Sequence, residues 1–212
     1  MGTSLLAFAA FAALLTITPG VDTLLVLRAS AAGGRGAGIA AATGIGLGCL
    51  TWATAGAIGV TAVLAASQLA FDVLRWAGAA YLVWLGARAL WSARRRRADA
   101  PSIAPAPGEP GERWSRWRAL RAGLTTNLLN PKAGVFYLSV LPQFLPAGVP
   151  PLAGSLALAM IHVIEGLVWL SLLAVLVTQA RTWLTRPAVR RRFDQVTGAV
   201  LLAFGLRLAI DH

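Results

Sequence analysis

Long apolar runs alternate with short polar, arginine-bearing stretches along the whole of this 212-residue chain. A helix needs about 20 apolar residues to cross a hydrocarbon core of roughly 30 Å. Six runs approach that length, at 5–27, 39–64, 73–90, 120–145, 152–177 and 196–210, the third and the last being short. The pattern predicts an all-α polytopic membrane protein with six transmembrane helices.

Between the third and fourth runs the apolar pattern lapses into "RRRRADAPSIAPAPGEPGERWS", a stretch of Pro, Gly and charge that cannot bury a core. It divides the chain into a first three-helix repeat at 1–91, a basic cytoplasmic linker at 92–118 and a second three-helix repeat at 119–212. The halves echo each other. Helix three begins "FDVLRWAG" and ends "LGAR", from Phe71 to Arg88, and helix six begins "FDQVTG" and ends "FGLR", from Phe193 to Arg207. Helices one and four, the first of each half, both carry an internal proline, Pro19 and Pro131. Three is odd, so the second half enters the membrane from the opposite side, the inverted-repeat plan of many secondary transporters. Chance similarity among apolar helices is the competing explanation.

Composition changes the picture only in placing the chain. With 57% hydrophobic and 13% charged residues and a mean hydropathy of +0.68, it falls well below the charged fraction of about 25% in a soluble domain. The net charge of +11 would suggest nucleic acid in a soluble protein. Sixteen of the eighteen arginines, however, fall in alternate loops on one side, against only Arg75 and Arg207 on the other. The positive-inside rule makes that side cytoplasmic and puts both termini outside. "RWSRWRALR", with Trp114 and Trp117 among arginines, then reads as an anchor at the anionic inner leaflet of the bilayer rather than a nucleic-acid site. The first run lacks a basic n-region and a small-residue cleavage pattern and is expected to stay as helix one. Cys49 is the single cysteine, which excludes an intrachain disulfide and a CxxC exchanger.

Apart from arginines close to the ends of the runs, four charge-bearing side chains fall within the spans: Asp22, Lys132, His162 and Glu165. A charge at the bilayer centre costs about 2.5 to 3.5 kcal/mol on insertion scales, so each needs a partner, a cavity or a neutral form. Lys132, the only lysine, follows Asn130-Pro131 in "NLLNPKAGVF". Pro131 has no N–H and its ring conflicts with the carbonyl of Asn127, and Pro19 does the same to the carbonyl of Leu15, with Gly20 easing further unwinding. Backbone freed in this way is tolerated only where protein or water satisfies it. Two broken helices therefore imply a polar cavity between the halves, with Thr125, Thr126, Asn127 and Asn130 on one side and Thr16, Thr18 and Thr23 on the other. Lys132 suits a carboxylate and Asp22 an ammonium, and together they make a zwitterion receptor. The alternative is that they only pair with each other.

His162 and Glu165 share a helix face, and Glu165 is a carboxyl able to exchange a proton as the cavity changes sides; the alternative is a neutral group hydrogen-bonded within the bundle. In helix two, Gly44 and Gly48, continued backward by Ala40, have the small-xxx-small spacing that lets another helix approach closely.

"TPGVDTLLVLR", "GAAYLVWLGARALW" and "NLLNPKAGVFYLSVLPQFL" resemble the LysE/RhtB family of amino-acid exporters, in order and over nearly the whole chain. Pro19, Gly20 and Asp22 match the helix-one pattern, although Val21 stands where the family has a second proline. Asn130, Pro131, Lys132, Pro142, Gln143 and Phe144 match on helix four. The resemblance implies efflux of an amino acid or similar small metabolite across a bacterial inner membrane, coupled to proton entry. His162 and Glu165 are outside its motifs. No cofactor is called for, and a homo-oligomer is left open.

Two other classes compete. An intramembrane hydrolase would need a nucleophile with a base or a metal cluster, yet the only histidines are His162 and His212. A metal-ion or inorganic-ion exporter would need several carboxylates, imidazoles or thiolates converging, and only Asp22, His162, Glu165 and Cys49 are on offer.

Overall fold

A computed structural model of the chain describes residues 2–66, 68–95, 113–146, 148–176 and 186–210. Residues 96–112 of the linker, Arg181 and His212 lie outside the described residues, as do the side chains of Phe71, Asp72, Arg75 and Arg207. Every regular element described is helical.

The first run is two helices, α1 (Gly2–Ile17) and α2 (Val21–Gly33), bent by 53° across Thr18, Pro19 and Gly20. Gly34, at φ +74°, ends α2 with its N–H on the carbonyl of Ser30. The second run is α3 (Arg35–Ala66) and the third α4 (Gln68–Arg95), each longer than its apolar core because the helix continues into polar flanks. The fourth run departs most from a simple span. It is α5 (Arg116–Leu128), a break at Leu129-Asn130, α6 (Pro131–Val135), a π-helical turn (Phe136–Val140) and a 3-10 turn (Leu141–Phe144). Two prolines explain this. Pro131 forces a restart, as the first residue of α6, and Pro142 can give no N–H to Leu138, so the chain widens before it, with Leu141 N–H reaching back to the carbonyl of Phe136. The fifth and sixth runs are α7 (Pro151–Val175) and α8 (Pro187–Ile210).

α3 and α7 are each long and apolar enough to cross a membrane, and α1 with α2 qualifies as one further, broken span. α3 is the hub. It packs against α2, α5 and α7, and α4 packs chiefly on α8. Without a hydrophobic force between helices in lipid, close approach by small residues is what joins them. A Cβ at Gly44 of α3 would strike the carbonyl of Leu120, and one at Gly123 of α5 the carbonyl of Ala41. The α4–α8 crossing is also close: a Cβ at Gly86 would sit 2.7 Å from the Gly198 carbonyl oxygen, and one at Gly198 2.8 Å from that of Gly86.

Two further features fix the ends of the bundle. At one end Trp114 joins α2 to the start of α5: its backbone N–H donates to the Ala32 carbonyl, and the guanidinium groups of Arg28 and Arg118 lie 5.5 and 4.9 Å from its ring centroid. Toward the other end Phe8 and Phe11 of α1 pack on Phe136 and Phe144, with centroids 5.4 to 6.4 Å apart.

Candidate functional site

The carbonyls that the two prolines strip of their helical partners are both re-satisfied, and from other helices. Leu15 O, four residues before Pro19, accepts from Lys132 Nζ at 3.2 Å. Asn127 O, four before Pro131, accepts from the Asn130 N–H at 3.0 Å and from the indole Nε1 of Trp52 at 3.3 Å. The charge that follows one break therefore closes the other.

The contact is returned. Asp22, in the first turn of α2, accepts at Oδ2 from Asn127 Nδ2 and Asn130 Nδ2, each at 3.2 Å. Asn130 is also the N-cap of α6, its Oδ1 taking the Lys132 N–H at 3.1 Å. Asp22 and Lys132 thus do not pair with each other. Each is held by neutral groups, and Asp22 Oδ1 and Asn127 Oδ1 are buried with no partner.

These groups line a cavity of about 550 Å³, within the range of about 300–1,000 Å³ usual for small-molecule sites. Thr16, Thr18, Pro19, Gly20, Asp22, Thr23, Asn127, Asn130, Lys132 and His162 all face it. His162 accepts or donates at Nδ1 to the Tyr137 hydroxyl, 2.8 Å away, and its ring stands edge-on to Phe136. Ala42, Ile45, Cys49, Val163, Leu167 and Leu170 supply the apolar wall.

Other residues singled out in the sequence sit elsewhere. Pro131 is exposed and shapes the backbone only, Gln143 is exposed on the 3-10 turn, and Thr125 and Thr126 do not line the cavity. Glu165 is partly buried outside the lining, its Oε2 without a partner. Gly44 meets the α5 backbone, whereas a Cβ at Gly48 would lie 2.6 Å from Asn127 Oδ1. Three participants escape sequence reasoning. Trp52 and Tyr137 look like ordinary apolar-run aromatics, and Arg88, which lines the cavity with its guanidinium 5.3 Å from the Trp84 ring centroid, looks like one more loop arginine. Among the described residues no three His, Cys, Asp or Glu side chains converge as a metal site would require.

Residues 13–212 match the family described as LysE type translocator. The chain is 28% identical to the uncharacterized membrane protein YrhP of Bacillus subtilis (strain 168), over 98% of this chain and 99% of that one. It is 29% identical to the homoserine/homoserine lactone efflux protein of Salmonella typhimurium, covering 92% of this chain and 91% of that one. It is also 29% identical to the leucine efflux protein of Enterobacter sp. (strain 638), over 93% and 91%. No solved structure matches. With the match running from within α1 to the end of the chain and across both broken segments, this protein belongs to the LysE type translocator family, whose members are transporters rather than enzymes.

Proposed function

We propose that this protein is a six-span secondary exporter that carries an amino acid, or a related small zwitterionic metabolite, out of the bacterial cytoplasm in exchange for protons. In this reading α1–α2, α3 and α4 form the first repeat. The broken fourth segment, α7 and α8 form the second, inverted repeat, and both termini lie outside.

The observation that carries the proposal is the exchange of partners between the two breaks. Lys132 is held by a backbone carbonyl and Asp22 by two amides. Each neutral partner is one that a charged ligand group outcompetes, because a ligand group of opposite sign adds the Coulomb attraction between two full charges to the hydrogen bond. A substrate carboxylate replaces Leu15 O on Lys132, and a substrate ammonium meets Asp22, whose Oδ1 has no partner. The names of the relatives, homoserine and leucine efflux proteins, agree with a zwitterionic cargo.

Asp22 also carries the proton in this scheme, since it lines the cavity and Glu165 does not. A proton arriving from outside discharges Asp22 and frees the ammonium. The protonated carrier returns and gives the proton to the cytoplasm, where Asp22 binds the next substrate. Purified protein in liposomes tests this: an imposed proton gradient should drive amino-acid movement against its own gradient. Absence of flux under both gradient and counterflow conditions would sink the proposal.

A further inference from the structure

The cavity has a recess whose shape is set by one helix pair. α3 and α7 run antiparallel and touch closely at two levels: a Cβ at Gly46 would lie 3.2 Å from Val163 Cγ1, and a Cβ at Gly38 2.7 Å from the Ala174 Cβ. Between these two levels Ala42 and Ile45 on α3 and Leu167 and Leu170 on α7 line the cavity. Gly166 stands on that wall, one turn beyond Val163. A Cβ built on it meets nothing within 4 Å.

We infer that Gly166 is the specificity-determining residue of the site: its missing side chain leaves the room taken by the substrate's own side chain, which is neutral and aliphatic. The inference rests on the amino-acid reading of the Asp22–Lys132 site, whose two residues line the same cavity. Its chemistry follows from the walls. Ala42, Ile45, Leu167 and Leu170 offer an apolar side chain contact and offer a charged one no partner. The remaining cation of the lining, Arg88, repels a lysine-like ammonium. A hydrophobic recess discriminates by size at about tenfold or more per methylene, so a methyl group added to the wall acts like one too many on the substrate.

Counterflow of glycine, alanine, valine, leucine and lysine in proteoliposomes separates the outcomes. The wild-type protein should carry the aliphatic amino acids in preference to lysine. Gly166→Ala should lower leucine transport, and Gly166→Val should lower both valine and leucine by about tenfold or more while alanine continues to be carried. Gly59→Val is the control for fold, since Gly59 is a glycine of α3 outside the cavity lining whose Cβ also meets nothing within 4 Å. It should leave the selectivity order intact. If Gly166→Val depresses all substrates equally, or none, the assignment of Gly166 is wrong while the amino-acid reading stands. If wild-type protein carries none of the five, the amino-acid reading falls first.

Discussion

Lys132 is the one lysine among nineteen basic residues, and its contact is one that suits an ammonium. The carbonyl of Leu15 is a single acceptor inside a crowded break, and an ammonium on a flexible stem meets it as a point charge, where a planar guanidinium presents a fork of five donors that the site does not match. Lys132→Ala should therefore raise the substrate KM about tenfold to a hundredfold, the value of one charged hydrogen bond of about 1.5 to 3 kcal/mol. Lys132→Arg should not restore it. The decarboxylated amine of the same substrate gives the internal control: the preference for amino acid over amine should collapse in Lys132→Ala. Asp22→Asn makes the complementary prediction. It removes the titrating group but keeps an acceptor oxygen for Asn127 and Asn130, so proton-driven accumulation should vanish while counterflow persists with a raised KM, the ammonium having lost its counter-charge. Loss of both together would assign Asp22 to binding alone. Asp22 and Lys132 were legible in the sequence because a charge inside an apolar run is costly. Arg88 and Trp52 were not, since nothing local separates them from an end-of-run arginine and a core aromatic. Trp52 matters through Asn127, 75 positions away.

At the scale of elements the prolines carried most of the readable information, and they carried it unevenly. Pro19 and Pro131 announce breaks because each sits well inside an apolar run with a glycine or a capping asparagine beside it. Pro142 stands out in the sequence only as part of a motif. Its consequence, the π turn at Phe136–Val140, depends on the absence of an N–H four residues beyond Leu138 and on the aromatic packing that holds the widened turn. The glycines of α3 show the same limit. Gly44 and Gly48 have identical spacing signals, yet one meets backbone and the other the side chain of Asn127. The two substitutions should therefore behave differently. Gly44→Ala forces α5 away from α3 and should destabilise the protein by about 1 to 3 kcal/mol, the usual range for overpacking, read as a lower melting temperature in detergent. Gly48→Ala pushes on the Asn127 amide, a movable group that holds Asp22, and should depress transport with a much smaller change in melting. Equal thermal losses in the two variants would show that Asn127 is not the group displaced.

Across the whole molecule the cavity extends from the middle toward one end of the helices that wall it. On α3 its lining runs from Ala42 to Cys49, in the half nearer Arg35, and on α7 from His162, at the middle of the helix, into the half nearer Val175 as far as Leu170. The close contact of Gly38 with Ala174 puts those two halves at the same end, and that is the end where Trp114 gathers Arg28 and Arg118. Toward the opposite end lies the packed cluster of Phe8, Phe11, Phe136 and Phe144. If arginine-rich surface marks the cytoplasm, the cavity lies nearer the inner end in this conformation, and we predict that it opens there, the state in which an exporter loads. Cysteine labelling decides it. In a Cys49→Ala background, Trp117→Cys, exposed at the arginine-rich end, should react with a membrane-impermeant maleimide only from the cytoplasmic face, and Ala153→Cys, exposed at the start of α7, only from outside. Gly166→Cys on the cavity wall should then label from the cytoplasmic face without substrate, and more slowly once substrate fills the recess. Labelling of Gly166→Cys from the outer face alone, with the two surface markers behaving as expected, would reverse the assignment of the open side. The aromatic cluster would then close the inner end of the pathway, and loading would have to occur in a different conformation from this one.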